Sequence, residues 1–168
     1  MGCIYVQRET RGTGESGAAA LVRERLLRRA RAPDSCPQLL LFPEGTTTNG
    51  DFLLPFKTGA FLTGAPVQPV LLRYRWRRFS MAWETITAPW HFFLMFSQLS
   101  HALEVIYLPV YEPNAAEQKD PAVYAAGVRA AMLKASDLQA SDLVLADKRA
   151  YQALLLEEWA AQTKSKRA

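Results

Sequence analysis

Short apolar runs bounded by Gly, Pro or Asn alternate along this chain with longer stretches whose apolar residues recur every three or four positions. Residues 1–7 have strand composition. A Gly-rich turn follows at 11–14, and Ser16 is placed to cap a helix over 17–30. Ala18, Ala19, Val22, Leu26 and Ala30 share one face of that helix, while Arg23, Arg25, Arg28 and Arg31 fall mostly on the rest, as on a solvated face. Pro33 ends it, because the residue before a proline is pushed out of the helical region. The run Leu39, Leu40, Leu41, Phe42 then reads as a short buried strand that stops at Pro43.

Residues 51–56 are short and apolar, and 57–61 read as the start of a short helix. Residues 66–72 predict a third buried strand, and 81–87 an edge strand. Residues 88–99 predict an aromatic helix, 102–110 another strand, and 111–121 a polar loop. Pro121 suits the first position of a helix running through Leu133, since it has no N–H to leave unbonded there. A turn at 136–141 precedes a last helix over 145–161, with Tyr151, Leu154, Leu155 and Trp159 at helical spacing. The tail from 162 is polar. Strands alternating with helices predict an α/β class, with a mixed, mostly parallel sheet flanked by helices.

Composition narrows the picture without choosing a function. The 168 residues are 49% apolar, enough to bury a core in one domain. A net charge of +4 suits anionic partners such as phosphates, nucleic acid or an anionic lipid surface. Two cysteines, Cys3 and Cys36, make neither a disulfide framework nor a metal site. Residues 1–7 lack the basic start and apolar core of a signal peptide, and no apolar run is long enough to span a bilayer. The longest, 88–99, fits either a buried helix or one lying in a membrane interface. Residues 73–79 interleave Arg73, Arg75, Arg77 and Arg78 with Tyr74, Trp76 and Phe79. That pattern suits stacking on single-stranded nucleic acid, a headgroup layer, or an ordinary surface strand with alternating faces.

The stretch with most chemistry is Pro43-Glu44-Gly45-Thr46-Thr47-Thr48-Asn49-Gly50. Gly45 lets a backbone approach a ligand, and hydroxyls with nearby N–H groups can donate to anionic oxygens. Loops at the carboxyl ends of strands are where open α/β sheets place ligands. Other chemistries find no pattern here. The two histidines, His91 and His101, have no acid at a relay spacing and read as packed or surface residues. No phosphate-binding Gly-Lys loop, dinucleotide fingerprint, metal-ligand cluster or nucleophile elbow occurs.

An ordered set of motifs remains. Gln7-Arg8-Glu9 follows the first strand. Phe42-Pro43-Glu44-Gly45-Thr46 follows the second, with Thr48-Asn49 just beyond. Phe56-Lys57-Thr58-Gly59-Ala60-Phe61 and Gly64-Ala65-Pro66-Val67-Gln68-Pro69-Val70 come next. Leu108-Pro109-Val110-Tyr111 and Asp120-Pro121-Ala122-Val123-Tyr124-Ala125 complete it. From Ile4 to Val128 this order resembles the glycerolipid acyltransferase family, and most closely its branch acting on lysophosphatidylcholine and lysophosphatidylethanolamine.

The resemblance implies transfer of a fatty acyl group from acyl-CoA to the free hydroxyl of a lysoglycerophospholipid, with acyl-CoA as co-substrate and no cofactor or metal. It implies a glycerolipid acyltransferase fold, with Arg8 contacting the acceptor's phosphate through its fork of donors. Glu44, Gly45 and Thr46 would line the acceptor site, with Thr47 and Lys57 beside them, and Pro66 to Val70 would shape the acyl-CoA side. Where the phosphatidic-acid branch has an arginine after Glu-Gly-Thr, this chain has Thr47, which fits an acceptor whose phosphate already carries choline or ethanolamine. The family's His-x-x-x-x-Asp base does not occur: five residues beyond His91 and His101 stand Phe96 and Ile106. The expectation is therefore a chain truncated at its N-terminus, with no catalytic residue of its own and no activity alone. Residues 1–135 would be the C-terminal part of the acyltransferase domain, and 136–168 a helix and basic tail. Lys164 and Lys166 resemble a dilysine retrieval signal, implying the cytosolic face of the endoplasmic-reticulum membrane. The partners expected are acyl-CoA, lysophospholipid and a membrane surface, not nucleic acid. A non-catalytic lipid or acyl-CoA binding module is the alternative of a different class.

Overall fold

Proline decides where the longest ladder begins. Pro66 and Pro69 have no N–H to give a neighbour, so the expected strand over 66–72 starts late: strand β2 forms only from Val70 to Arg75. In the computed structural model, which describes residues 18–32, 35–76, 79–83 and 87–165, two compact units are built from interleaved segments. The expected first strand, with Arg8, lies outside the described residues.

One unit takes in residues up to 43, 56–69 and 109–132. Its helix α1, Ala18–Arg31, buries Val22 and ends in Arg28, Arg29 and Arg31, whose charges suit a helix C-terminus. A 3-10 turn, Thr58–Ala60, packs on α1 and leads to buried Phe61. Helix α4, Pro121–Lys134, brings Tyr124, Ala125, Val128 and Met132 into this core. Tyr124 is fully buried; Phe61 meets it edge-on at 5.1 Å and Tyr111 stacks at 5.9 Å. Its hydroxyl donates to the Ala65 carbonyl at 2.8 Å, so a buried polar atom is satisfied. Burial, and after it the nearby Glu117 and Tyr111, pushes the Tyr124 phenol up to about 12.

The expected polar loop at 111–121 holds a short helix, α3, Ala115–Lys119. Asn114 and Glu117 form its capping box: Asn114 Oδ1 accepts from the N–H of Ala116 and Glu117, and Glu117 Oε2 accepts from the Asn114 N–H. The other Glu117 oxygen accepts from the Tyr111 hydroxyl at 2.7 Å, which raises the Tyr111 phenol above its ordinary range. Tyr111 also bridges Val67 through two backbone hydrogen bonds.

The other unit takes in 44–55, 70–108 and the residues from 133. Strand β1, Phe52–Leu53, pairs in parallel with β4, Gln139–Ala140, inside the region expected to be a turn. Strand β2 pairs antiparallel with β3, Ala102–Tyr107, over six residues, Val70 facing Tyr107 and Arg75 facing Ala102. The class is α/β, with a mixed set of ladders. Helix α2, Ala88–Phe96, starts with proline in its first turn, and helix α5 spans Leu145–Ser165. Among the described residues no helix is long and apolar enough to cross a membrane.

Two strand expectations are corrected. Residues 39–42 form no ladder among the described residues, and Leu40 and Phe42 are 71% and 68% exposed. Apolar content alone does not bury a segment that has no neighbouring strand to pair with. Residues 81–83 are likewise outside any strand, and 84–86 are outside the described residues. Of the basic-aromatic stretch, Arg73, Tyr74 and Arg75 belong to β2. Arg75 reaches diagonally to Glu104 at 2.8 Å, and Arg73 pairs with Asp137.

Candidate functional site

The loop after Pro43 is shaped by side chains that bond backbone. Gly45 sits at φ 70° and Gly50 at φ 93°, where a Cβ would be strained. Asn49 Oδ1 accepts from the Asp51 N–H at 3.1 Å, which turns the chain back toward β1. Thr48 Oγ1 accepts from the Gly50 N–H at 3.3 Å and donates to the Phe52 carbonyl at 3.2 Å. Glu44 Oε2 accepts from the Leu54 N–H at 3.0 Å, so this acid braces the loop against the residue after β1. A carboxylate placed there holds backbone in position; its geometry is that of a structural brace for the neighbouring Gly45 and Thr46.

Gly45 and Thr47 are exposed and Thr46 is half-buried. Among the described residues no acceptor is bonded to the N–H groups of Gly45, Thr46 or Thr47. A short exposed run of backbone donors with two adjacent hydroxyls is suited to oxygens of an anion. The four sequence-expected residues Glu44, Gly45, Thr46 and Thr47 are consecutive in this loop, Gly45 and Thr47 being its exposed members. Lys57 is exposed, and its backbone N–H donates to the Pro43 carbonyl at 2.8 Å at the entry to the loop. Pro66 is exposed and precedes the Val67 bridge to Tyr111. Arg8 lies outside the described residues.

Neither histidine pairs with an acid among the described residues. His91 is buried among the rings of Phe79, Trp83 and Phe92, with centroids 5.3, 6.4 and 6.1 Å away, and its Nδ1 has no hydrogen-bond partner. It is the packed histidine the sequence predicts. Among the described residues no group of His, Cys, Asp and Glu is placed to hold a metal ion.

Sequence reasoning missed one residue of the loop's surroundings. Lys148, in the first turn of α5, donates to the Thr47 carbonyl at 2.9 Å, to Thr47 Oγ1 at 3.3 Å and to the Trp83 carbonyl at 3.0 Å. No local pattern marks it, because its partner Thr47 is 101 residues away.

The chain's first 73 residues match the family model described as Acyltransferase. It is 50% identical over 155 residues to the lysophospholipid acyltransferase LPEAT1 of Arabidopsis thaliana, covering 92% of this chain and 39% of that protein. It is 42% identical over 116 residues to human lysophosphatidylcholine acyltransferase 1, covering 65% of this chain and 21% of the relative. With mouse lysophosphatidylcholine acyltransferase 2B it shares 42% identity over 136 residues, 77% of this chain and 24% of the relative. The chain therefore spans about two fifths of the first of these proteins and less of the others. No solved structure matches it.

Proposed function

The chain belongs to the acyltransferase family, and we propose that it forms the acceptor-holding part of an enzyme that acylates lysoglycerophospholipids. The observation that carries this is the run Gly45, Thr46 and Thr47, whose backbone N–H groups have no bonded acceptor among the described residues, with Glu44 bracing the loop on the Leu54 N–H. In the reaction, the acceptor's free hydroxyl attacks the thioester carbonyl of acyl-CoA. A C–O bond forms, the C–S bond breaks, and the CoA thiol leaves. The hydroxyl proton passes to a base, which on this reading is not among residues 1–168. Backbone N–H groups and the Thr46 and Thr47 hydroxyls hold phosphate oxygens, and the family resemblance assigns Arg8 and Lys57 to substrate binding as well. Pro66 and the residues after it shape the acyl-CoA side. No cofactor is required.

The acceptor lives in a bilayer, and a membrane surface is the partner we assign to α2. Trp90, Phe92, Phe93 and Phe96 are all more than half exposed there. Residues 87–103 contain no Asp, Glu, Lys or Arg, so the rings can enter a headgroup layer without burying a charge. This fits the cytosolic face of the endoplasmic reticulum.

The test is a titration of the 168-residue chain with lysophosphatidylcholine, and separately with acyl-CoA, in mixed micelles. Lysophosphatidylcholine should bind, and Gly45→Val, which strains the loop backbone, should weaken it about tenfold. Equal binding by Gly45→Val, or equal binding of a monoacylglycerol without phosphate, overturns the role given to this loop. Acyl transfer by the chain alone overturns the statement that its base lies elsewhere.

A further inference from the structure

We propose that Lys148 is a positioning residue for the acceptor loop, supplying from α5 the positive charge that position 47 does not carry. The proposal rests on the acyltransferase reading above. It concerns a helix that starts at Leu145, well beyond the 73 residues matched by the family model.

In the sequence, Asp147-Lys148-Arg149 looks like a solvated helix start. Asp147 behaves as one expects there: its Oδ2 accepts from the Val144 N–H at 2.7 Å, the favourable place for an acid. Lys148 does not. A cation in the first turn of a helix is disfavoured by the exposed N–H groups of that turn, and a solvated lysine would swing away. Lys148 is instead half-buried, and each of its acceptors is a neutral oxygen: the Thr47 carbonyl, the Thr47 hydroxyl and the Trp83 carbonyl. An ammonium has three N–H donors, so this set uses all of them. Among the described residues no carboxylate pairs with Lys148. Its charge is therefore not cancelled locally.

Two consequences follow for the loop. The trans peptide unit is planar, so a Thr47 carbonyl held on Lys148 turns the Thr48 N–H to the opposite side of that unit. The ammonium also sits one residue from Thr46, and in a partly desolvated setting it favours an anion at the donor run. Thr47 has no charge of its own, and Lys148 places one against it. The ligand class is the phosphate group of a lysoglycerophospholipid. Lys148 acts on it through the loop, because its own donors are committed.

The experiment compares the wild-type chain with Lys148→Met and Lys148→Arg. Three quantities are read: amide hydrogen exchange over 45–50, binding of lysophosphatidylcholine, and binding of monoacylglycerol as a phosphate-free control. Lys148→Met should speed exchange of the loop about tenfold and weaken lysophosphatidylcholine binding about tenfold, with the control unchanged. Lys148→Arg, which keeps charge and donors, should recover most of both. Unchanged loop exchange in Lys148→Met overturns the proposal, as does an equal loss for the phosphate-free control. If Lys148→Met does not fold, Lys148→Arg decides: near wild-type binding supports the charge, and a tenfold loss overturns it. If the wild type binds no lysophospholipid, the acyltransferase reading of the loop fails, while the exchange data still show whether Lys148 holds the loop.

Discussion

The two units use their aromatic residues in opposite ways. In the unit containing α4, the rings around that helix turn inward: Tyr124 is fully buried, Phe61 lies against it, and the Tyr111 hydroxyl is taken by Glu117, although Phe42 of the same unit is exposed. In the unit containing α2, they turn outward: Trp83, Trp90, Phe93 and Phe96 are exposed, although Trp90 stacks on Phe93 at 5.0 Å. The first arrangement pairs the polar atoms of Tyr124, Tyr111 and Glu117 as it buries them. The second leaves apolar surface open, with ordered polar contacts in the loop after Pro43 and across β2 and β3. The fully buried ring belongs to the first arrangement, and the surface to which we assign recognition belongs to the second.

The sharpest way to break this comparison is Tyr124→Ala. It removes a fully buried ring together with the hydrogen bond to Ala65, and should lower stability in urea denaturation by about 3–5 kcal/mol. A loss under about 1 kcal/mol would mean that this core is not organised around the ring. A pH titration probes the same residue more gently. The Tyr124 phenol is raised from 10.0 to about 12, so the folded state holds its proton longer than the unfolded state does. The stabilisation is therefore fully present below pH 10.0 and is lost as pH climbs toward about 12. The total is roughly 2–3 kcal/mol. Denaturation midpoints at pH 9 and above follow it, and Tyr124→Phe should flatten the decline. Tyr111, raised in the same direction chiefly by its bond to Glu117, adds to the fall.

How much of this was legible in advance depended on whether the cause was local. Helix α4 was readable from Pro121, and α2 from its uninterrupted apolar run. Helix α3 was missed although its signature was present: Asn114 followed three residues later by Glu117 is a capping box written in sequence. Residues 39–42 failed the other way, since hydrophobicity suggested burial but only a pairing neighbour could provide it. At the site, Gly45 and the threonines stood out by composition. That Glu44 is spent on the Leu54 N–H, and that Lys148 reaches Thr47, are tertiary facts with no local signal. The order of family motifs singled out the loop, and the bond from the Leu54 N–H adds a bracing contact for its acid that no motif signals.

A smaller effect tests how tightly the inward unit is closed. A Cβ at Gly127 would collide with Glu117 Oε1 and stand 2.6 Å from the Tyr111 hydroxyl oxygen. Glu117 cannot simply swing aside, because its other oxygen holds the Asn114 N–H. Gly127→Ala should cost about 1–2 kcal/mol despite the better helix propensity of alanine. A stabilised variant would show that Glu117 and Tyr111 move apart freely, and that the network is looser than its distances imply.

The outward unit should respond in the reverse sense. Trp90→Ala combined with Phe93→Ala removes two rings that are 52% and 59% exposed, so stability should shift by less than about 1 kcal/mol. Binding to phosphatidylcholine vesicles, followed by flotation, should fall by more than about tenfold, because each ring would otherwise leave water for the headgroup layer. Two results would sharpen or break the contrast. Unchanged vesicle binding removes the membrane role assigned to α2. A stability loss as large as that of Tyr124→Ala would show that these rings are packed as firmly as the inward ones, and exposure alone would no longer separate the unit that recognises from the unit that holds.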